Sequence, residues 1–332
     1  MIYYKLSNKN KIVVKQITKN PIFRYVKAGC LRMSLRPILS STAAKPTLEG
    51  AGVHLHRAFG FSDPTAFNPF LLFDDFRNDN PEQYLKGFPW HPHRGIETIT
   101  YVLKGSVDHS DSLGNSGTLG AGDIQWMTAG SGIMHQEMPN GNAKGQMHGF
   151  QLWANLPADL KMTSPRYQDI KAKEIPEVID DDGTRVKIIT GSFWGKTGPV
   201  DGIAADPVYL DIFVPAGIRK RFTVDTYRNT FAYIFDGGGK FTDASTPQGV
   251  LLEKEVMGEE FNIRDMSGNR TLVRFGTGKE IAVQAGDHGI RFLLVAGTPI
   301  QEPVAWHGPI VMNTREELLK AFDDYQNGRL CE

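Results

Sequence analysis

Residues 91–105 have the sequence HPHRGIETITYVLKG, and this stretch decides the fold. Residues 98–103 are rich in β-branched and aromatic side chains, which is typical of a β-strand, and Lys104-Gly105 ends the run in a turn. His91 and His93 stand two positions apart just before it. Because side chains at i and i+2 of an extended chain lie on the same face, both imidazoles are predicted to point into one barrel.

A second stretch, GDIQWMTAGSGIMHQEMP at residues 122–139, repeats this spacing with His135 and Glu137. If the two strands are neighbours, three imidazoles and one carboxylate converge. That donor set suits a divalent first-row metal and leaves positions open when the metal is six-coordinate. Structural zinc fits less well, because it prefers thiolates and neither cysteine is near. An isolated pair is weak evidence, so we interpret His54-Leu55-His56, which has no second pair, as structural or exposed.

The rest of the chain predicts an all-β protein. Glycine is frequent, at 35 of 332 residues, and short strand-like runs alternate with turns from about residue 50, which favours a sandwich or small barrel. A polar linker at 158–185 precedes a second strand-rich region. The triplet Ala-Gly-Asp occurs at 121–123 and again at 285–287, which suggests a duplicated barrel. Thr314 and Glu317 form a capping box that predicts a C-terminal helix.

Charge is distributed unevenly along the chain. Basic and acidic residues number 37 each, but residues 1–32 hold eight basic residues and no acidic one, which leaves the remainder with 29 basic and 37 acidic residues. An acidic body argues against direct binding to nucleic acid or to an anionic membrane. We interpret residues 1–32 as lying outside the folded body: a tail, a transit-like leader, or the result of a natural start at Met33.

Two further features bear on the cellular compartment. The chain has two cysteines, Cys30 and Cys331, too few for a disulfide framework, which fits a reducing compartment. No uninterrupted apolar run approaches the ~18 residues of a membrane span. A cytoplasmic location without a membrane anchor is therefore expected.

The linked motifs resemble those of the pirins, a family of the cupin superfamily. Gly130 and Pro139 stand where general cupin motifs have Pro and Asn, and these departures match the pirins. The segments that carry the resemblance are FNPFLLFDDF (67–76), HPHRGIETITYVLKG (91–105), GDIQWMTAGSGIMHQEMP (122–139), LWANLP (152–157) and EPVAWHGPIVMNTREEL (302–318). The resemblance covers about residues 33–329.

The resemblance implies a bicupin, an all-β protein built of two antiparallel β-barrels with a short C-terminal helix. The expected division is a basic extension at 1–32, a metal-binding barrel at 33–160, a barrel without metal ligands at 161–312, and a helix and tail at 313–332. Shifting His91, His93 and His135 by 164 residues reaches no histidine, and none lies between 149 and 287. One metal ion per chain is therefore expected.

For the site itself, the resemblance implies the metal ligands His91, His93, His135 and Glu137, with Glu137 also a general base. Sequence parity alone leaves the carboxylate open, because Glu97 follows His93 by four residues and its equivalent is the ligand in most cupins. We keep Glu97 as a residue that orients an imidazole. Further residues are expected to line an apolar mouth or its rim: Phe73, Arg94, Trp126, Met127, His148, Gln151 and Trp153.

The resemblance also implies iron, as Fe(II), and quercetin 2,3-dioxygenase activity, in which O2 opens a flavonol ring. The donor set equally accepts Mn, Ni, Co, Cu or Zn. The alternative function is a non-enzymatic, iron-dependent regulatory protein that binds a protein partner. Turnover of quercetin by the metal-loaded protein discriminates between the two.

Overall fold

The computed structural model describes residues 4–7, 11–14, 34–61, 64–244, 255–256, 259–260 and 266–331. The prediction for residues 1–32 falls largely outside the described residues, apart from an antiparallel pair of strands, β1 (Tyr4–Ser7) and β2 (Lys11–Val14). None of the helices within the described ranges has the length and apolar character that a membrane crossing needs.

The first half of the body forms a two-sheet barrel. Strand β3 (Ile38–Ala43) comes before this barrel in the chain. The strands of the barrel are β4 (Lys45–Glu49), β5 (Val53–Phe59), β6 (Phe70–Asp75), β7 (Phe88–His93), β8 (Ile96–Lys104), β9 (Ser106–Asp111), β10 (Ser116–Leu119), β11 (Ile124–Thr128), β12 (Ile133–Asn140), β13 (His148–Asn155) and β14 (Arg166–Ile170). One sheet has the order β10-β9-β12-β7 and the other the order β14-β11-β8-β13-β6-β5-β4. We call this unit the N-terminal barrel.

The second half forms the C-terminal barrel. Its strands and those that follow are β15 (Glu177–Ile179), β16 (Arg185–Thr190), β17 (Ser192–Phe193), β18 (Lys196–Thr197), β19 (Val208–Val214), β20 (Arg219–Thr223), β21 (Asn229–Phe241), β22 (Glu255–Val256), β23 (Glu259–Glu260), β24 (Ser267–Gly268), β25 (Thr271–Phe275), β26 (Glu280–Gly297), β27 (Ala305–His307) and β28 (Ile310–Met312). The main sheet has the order β15-β16-β19-β26-β21-β25-β3, with β20 on β26 and β24 on β21. A cluster of buried aliphatic and aromatic side chains fills this barrel, including Ile188, Leu210, Phe222, Ile234, Phe292 and Leu294.

The two barrels share a core. Buried side chains from both halves pack together, and the rings of Phe73 and Phe150 lie 4.8 and 5.9 Å from that of Tyr233. The predicted C-terminal helix is α1 (Arg315–Gln326); Thr314 Oγ1 accepts from the backbone N–H of Glu317 at 3.2 Å, as its capping box requires. The all-β bicupin fold with one C-terminal helix is thus confirmed in the described residues.

The ends of the chain are exchanged between the barrels, which differs from the expected contiguous division. Strand β3, near the start of the chain, pairs with β25 of the C-terminal barrel. Near the other end, β28 lies against the N-terminal barrel, where the Val311 N–H donates to Arg94 O at 3.0 Å. Strand β14, placed in the second half by the predicted boundary at 160, pairs with β11 of the N-terminal barrel. Neither barrel is therefore built from one continuous segment.

The duplication is real, but the 164-residue offset is wrong. Residues 121–123 precede β11, whereas 285–287 lie inside β26. The strands that match are β8 and β21, because they hold the same place in the strand order of their sheets: β8 lies between β11 and β13, and β21 lies between β25 and β26. They align ETITYVLKG (97–105) with NTFAYIFDG (229–237), an offset of 132 residues. Under this alignment His91 and His93 correspond to Thr223 and Asp225, so the C-terminal barrel still lacks the histidine pair.

The correct offset pairs Tyr101 with Tyr233, and each tyrosine bonds across to the opposite barrel. The Tyr233 hydroxyl donates to Asp75 Oδ2 at 2.8 Å, and the Tyr101 hydroxyl donates to Asp211 Oδ2 at the same distance. All four side chains are buried, and burial beside these carboxylates raises the pKa of both tyrosines. Two reciprocal, charge-assisted bonds therefore join the barrels.

Replacing Tyr233 with phenylalanine is expected to lower the free energy of unfolding by about 2 kcal/mol, because Asp75 loses a buried hydrogen bond to a charged acceptor. Urea unfolding of Y233F against the parent protein measures this difference. The matched control is Tyr325→Phe, since Tyr325 is 39% exposed on α1; its effect should stay within about 0.5 kcal/mol. Equal effects from the two variants would contradict the proposed role of the inter-barrel bond.

Candidate metal centre

Strands β7 and β12 bring three histidines together on adjacent strands. His135 is directly opposite His91 in the antiparallel ladder, and His93 follows two residues along β7 on the same face. The Nε2 atom of His91 lies 2.9 Å from that of His135 and 3.1 Å from that of His93. Among the described residues, these three form the group of His, Cys, Asp or Glu side chains close enough to share a metal ion.

The backbone fixes which nitrogen of two imidazoles carries the proton. The Nδ1 atom of His91 lies 2.8 Å from Pro89 O, and that of His93 lies 3.3 Å from Pro309 O. Because a carbonyl only accepts, each Nδ1 must donate, which leaves lone pairs on the facing Nε2 atoms. A proton or a metal ion between the two Nε2 atoms, which are 3.1 Å apart, removes the repulsion of their lone pairs.

The spacing of the nitrogens also fits a metal. Two ligand nitrogens at a right angle, each about 2.1 Å from an ion, are about 3.0 Å apart. Burial lowers the pKa of His93 and of His135 well below the usual value, and neighbouring imidazoles add to this effect. Both rings are therefore neutral near pH 7, the form that binds metal. The residues present fit a divalent metal ion.

Glu137 approaches the histidines from the same strand. A register shift between His135 and Glu137 sets the carboxylate opposite Phe88, and its Oε2 lies 4.0 Å from His135 Nε2. Its Oε1 accepts from the Thr100 hydroxyl at 3.0 Å. Burial raises the pKa of Glu137, while His91 and the Thr100 bond act to lower it. The carboxylate thus keeps one oxygen for a metal or a proton.

The site opens into a cavity of about 270 Å³ inside the N-terminal barrel. His91, His93 and Glu137 line one side, and Gly308 and Pro309 from the segment between β27 and β28 complete the wall. Further lining residues include Glu49, Arg57, Phe61, Leu72, Asp74, Thr100, Gln151 and Trp153. The Trp153 ring stands edge-on to His93, with 5.1 Å between ring centroids. Gln151 and Trp153, both expected at an apolar mouth, are among the residues that line this cavity.

Glu97 and Arg94 do not lie where they were expected. Glu97 is on the opposite face of β8 from Thr100 and accepts from the Thr128 hydroxyl at 2.8 Å, so it orients no imidazole. Arg94 is buried rather than at the rim. Its Nη1 donates to Asp324 Oδ2 at 2.8 Å and its Nη2 to Leu330 O at 3.0 Å. Arg94 therefore holds the C-terminal segment against the strand end that carries His93.

Four other predicted mouth residues also lie elsewhere. Phe73 and Trp126 belong to the core between the barrels, because they point outward from the N-terminal barrel. Met127 packs in a separate apolar cluster with Ile96 and Val311. His148 Nε2 lies 2.5 Å from Asp79 Oδ1 in a different cleft. Alternation of faces explains Phe73 and Trp126, whereas Met127 shares the inward face with Trp153, since both lie opposite Thr98, and packs there in its apolar cluster.

Sequence reasoning missed several residues of the cavity. Thr100 and Asp74 had a detectable signal, since each is a polar residue two positions from another inward-facing residue in a strand. Pro309 had none, because it comes from the far end of the chain. His109, which lies opposite Glu137 in the ladder, is buried, and its Nε2 lies 3.1 Å from Gln125 Nε2.

Fold and site together define a bicupin with a three-histidine candidate metal centre in its N-terminal barrel. Residues 52–154 match the family model for pirin, and residues 209–331 match the model for the pirin C-terminal cupin domain. A pirin-like protein of Caulobacter vibrioides is 44% identical over 90% of this chain and 100% of its own length. The chain belongs to the pirin family.

Two further similarities concern proteins with a named activity. A Pseudomonas aeruginosa protein, to which its name provisionally ascribes quercetin 2,3-dioxygenase activity, is 38% identical over 89% of this chain and 98% of its own length. The crystal structure of a quercetin 2,3-dioxygenase from Acinetobacter baumannii has a TM-score of 0.77 and 28% identity, covering 90% of this chain and 99% of that one.

Glutamine substitutions separate the two carboxylates. Glu137→Gln is expected to weaken metal binding at least about tenfold, since it removes the charge next to His135, whereas Glu97→Gln should leave binding unchanged because Glu97 faces away. Both variants keep the side-chain volume, so they are matched. Titration of each metal-free protein with Ni(II) measures the affinities. Full retention of affinity in E137Q would refute the assignment of Glu137 as a ligand.

Proposed function

We propose that the protein is a metal-dependent dioxygenase of the quercetin 2,3-dioxygenase type, acting in the cytoplasm. The observation that carries the proposal is the convergence of three imidazoles beside the Glu137 carboxylate, at one side of a cavity with an aromatic wall. The two relatives with this named activity support it. The scarcity of cysteines supports the compartment.

We propose His91, His93, His135 and Glu137 as the ligands of one divalent ion per chain, with Fe(II) as the physiological metal. Three nitrogens and one oxygen leave open positions on a six-coordinate ion, and the donor set alone does not choose between iron and its neighbours in the series. Elemental analysis of the protein as purified identifies the metal. A stoichiometry near two per chain would contradict the single site.

A bound metal would lower the pKa of a substrate hydroxyl and provide the position where O2 and substrate meet. The chain supplies the rest. Glu137 Oε2 accepts the proton of that hydroxyl when it is not bound to the ion, so the carboxylate exchanges between ligand and base, while the Thr100 hydroxyl holds Oε1 in place. The Trp153 ring, edge-on to His93, provides an apolar wall for a flat ring.

Aerobic turnover of quercetin, followed as the loss of flavonol absorbance, tests the activity. The full-length protein is loaded in turn with Fe(II), Mn(II), Ni(II), Co(II) and Cu(II), and turnover is expected with at least the physiological metal. The metal-free protein is the control. Absence of turnover with every metal would refute the dioxygenase and favour the metal-dependent regulatory protein as the function.

A further inference from the structure

A row of polar side chains crosses the inner face of the seven-stranded sheet. Arg57 of β5 is directly opposite Asp74 of β6, which is opposite Gln151 of β13, which is opposite Thr100 of β8. Directly opposite residues of antiparallel strands share a face, so all four point into the N-terminal barrel. All four also line the cavity that contains the histidines.

Asp74 is the carboxylate of this row that lies away from the metal centre. Arg57 binds it bidentately, with Nε 2.8 Å from Oδ1 and Nη2 2.7 Å from Oδ2, and the other Arg57 nitrogen lies 2.8 Å from Glu49 Oε1. Each carboxylate oxygen takes one bond from Arg57 and has room for another. Asp74 therefore keeps acceptor capacity on the cavity side.

The cost of burial argues that this ion pair has a use beyond packing. Asp74 is 5% exposed, and burial raises its pKa to about 6 in spite of Arg57. Replacing a buried ion pair with well-packed apolar side chains is often neutral or stabilising. Apolar side chains such as Val53, Leu55 and Phe76 line the same cavity, so the ion pair is a charged point in a largely apolar lining.

The separation of the two ends suits a substrate of two linked rings. Asp74 and Thr100 are two strands apart, which corresponds to about 10 Å at the usual interstrand spacing. Thr100 contacts Glu137, so this span runs from the metal end to the Asp74 end. Phe61 lies over the Arg57 guanidinium, 5.2 Å from its ring centroid, and adds an aromatic side to the distal end.

We propose that Asp74, held in place by Arg57, is a second recognition point of the metal cavity and selects aromatic substrates with a phenolic hydroxyl on a ring remote from the metal. The hydroxyl donates to the free acceptor position of the Asp74 carboxylate. This inference rests on the proposed function, because it names the substrate class of the same site: hydroxylated two-ring aromatics rather than unsubstituted ones.

The test compares anaerobic binding of quercetin and of 3-hydroxyflavone, which lacks every hydroxyl except the one at position 3. The full-length protein is loaded with Ni(II) at pH 8, and binding is followed by flavonol absorbance. Wild type is expected to bind quercetin at least about tenfold more tightly, the effect of one hydrogen bond to a charged acceptor. Asp74→Asn should reduce the ratio to about one with unchanged metal content, whereas Glu97→Gln, on the opposite sheet face, should keep it.

Equal affinities for the two flavonols in wild type would overturn the inference, and this comparison does not depend on any variant folding. Retention of the full ratio in D74N would also overturn it, since a group other than Asp74 would then account for the preference. Failure of the metal-loaded wild type to bind either flavonol would overturn the proposed function together with the inference. The outcomes thus distinguish failure of this inference from failure of the proposed function.

Discussion

Replacement of His135 with alanine is expected to abolish metal binding. His135 supplies one of three converging Nε2 atoms, and its loss leaves His91 and His93 as a two-nitrogen site on one strand. Removing even a residue that only orients a ligand costs about 10- to 100-fold in affinity, so loss of a ligand should cost at least about 100-fold. Elemental analysis of H135A should show metal at the background of the buffer.

His54→Ala is the matched control, because His54 also belongs to a His-x-His pair on a strand but lies on β5 and outside the described histidine group. Its metal content should equal that of wild type. Circular dichroism of both variants confirms that the fold is retained. One metal ion per chain in H135A would remove the basis for the centre as assigned.

The second large effect is expected at Arg94. Arg94→Ala removes the buried guanidinium from Asp324, which keeps only the exposed Lys320 at 3.2 Å and Arg329 at 3.8 Å, and it frees Ser131 O and Leu330 O as acceptors. Breaking a buried pair from one side typically costs about 3–5 kcal/mol, and this should appear as a lower free energy of unfolding in urea. Metal affinity should fall as well, because the Pro309 carbonyl that orients His93 lies in the segment that Arg94 holds.

Arg329→Ala is the control for Arg94. Arg329 pairs with Asp323 at 2.7 Å on the same C-terminal segment and lies 3.8 Å from Asp324, but its side chain is 46% exposed. An exposed pair contributes about 0–1 kcal/mol, so R329A should be nearly as stable as wild type and should bind metal normally. If R94A were equally stable, the C-terminal segment would not depend on this pair.

The sequence predicted the parts of the fold and site that depend on local periodicity. Two His or His/Glu pairs at i and i+2 were enough to predict convergence, because strand geometry places such pairs on one face. The sequence did not show which face of a strand lines the cavity and which packs against the other barrel. In β6, Leu72 and Asp74 face the cavity while Phe73 faces the other barrel. The prediction therefore named Phe73, a core residue, where the neighbouring positions of the strand line the cavity.

Long-range placement was beyond the sequence for a different reason. Glu97 and Arg94 are close to His93 along the chain, yet each bonds to a partner that only the assembled sheets bring near. The duplication was detected from a triplet with the wrong offset, because turns such as Ala-Gly-Asp recur at unrelated positions. The strand that carries Tyr101 and Tyr233 was a better guide, since buried inter-barrel bonds constrain both copies.

The exchange of chain ends sets an order of assembly. During synthesis the N-terminal part of a chain emerges first and begins to fold. All the proposed ligands have been synthesised once the chain reaches residue 137. The carbonyl that orients His93 belongs to Pro309, and the partners of Arg94, which are Asp324 and Leu330, are synthesised later still. On the ribosome the nascent chain thus contains its histidines long before it contains the C-terminal residues that position them. Full orientation of His93 is in this sense a late step of maturation, available to a chain only when it has been completed nearly to residue 330.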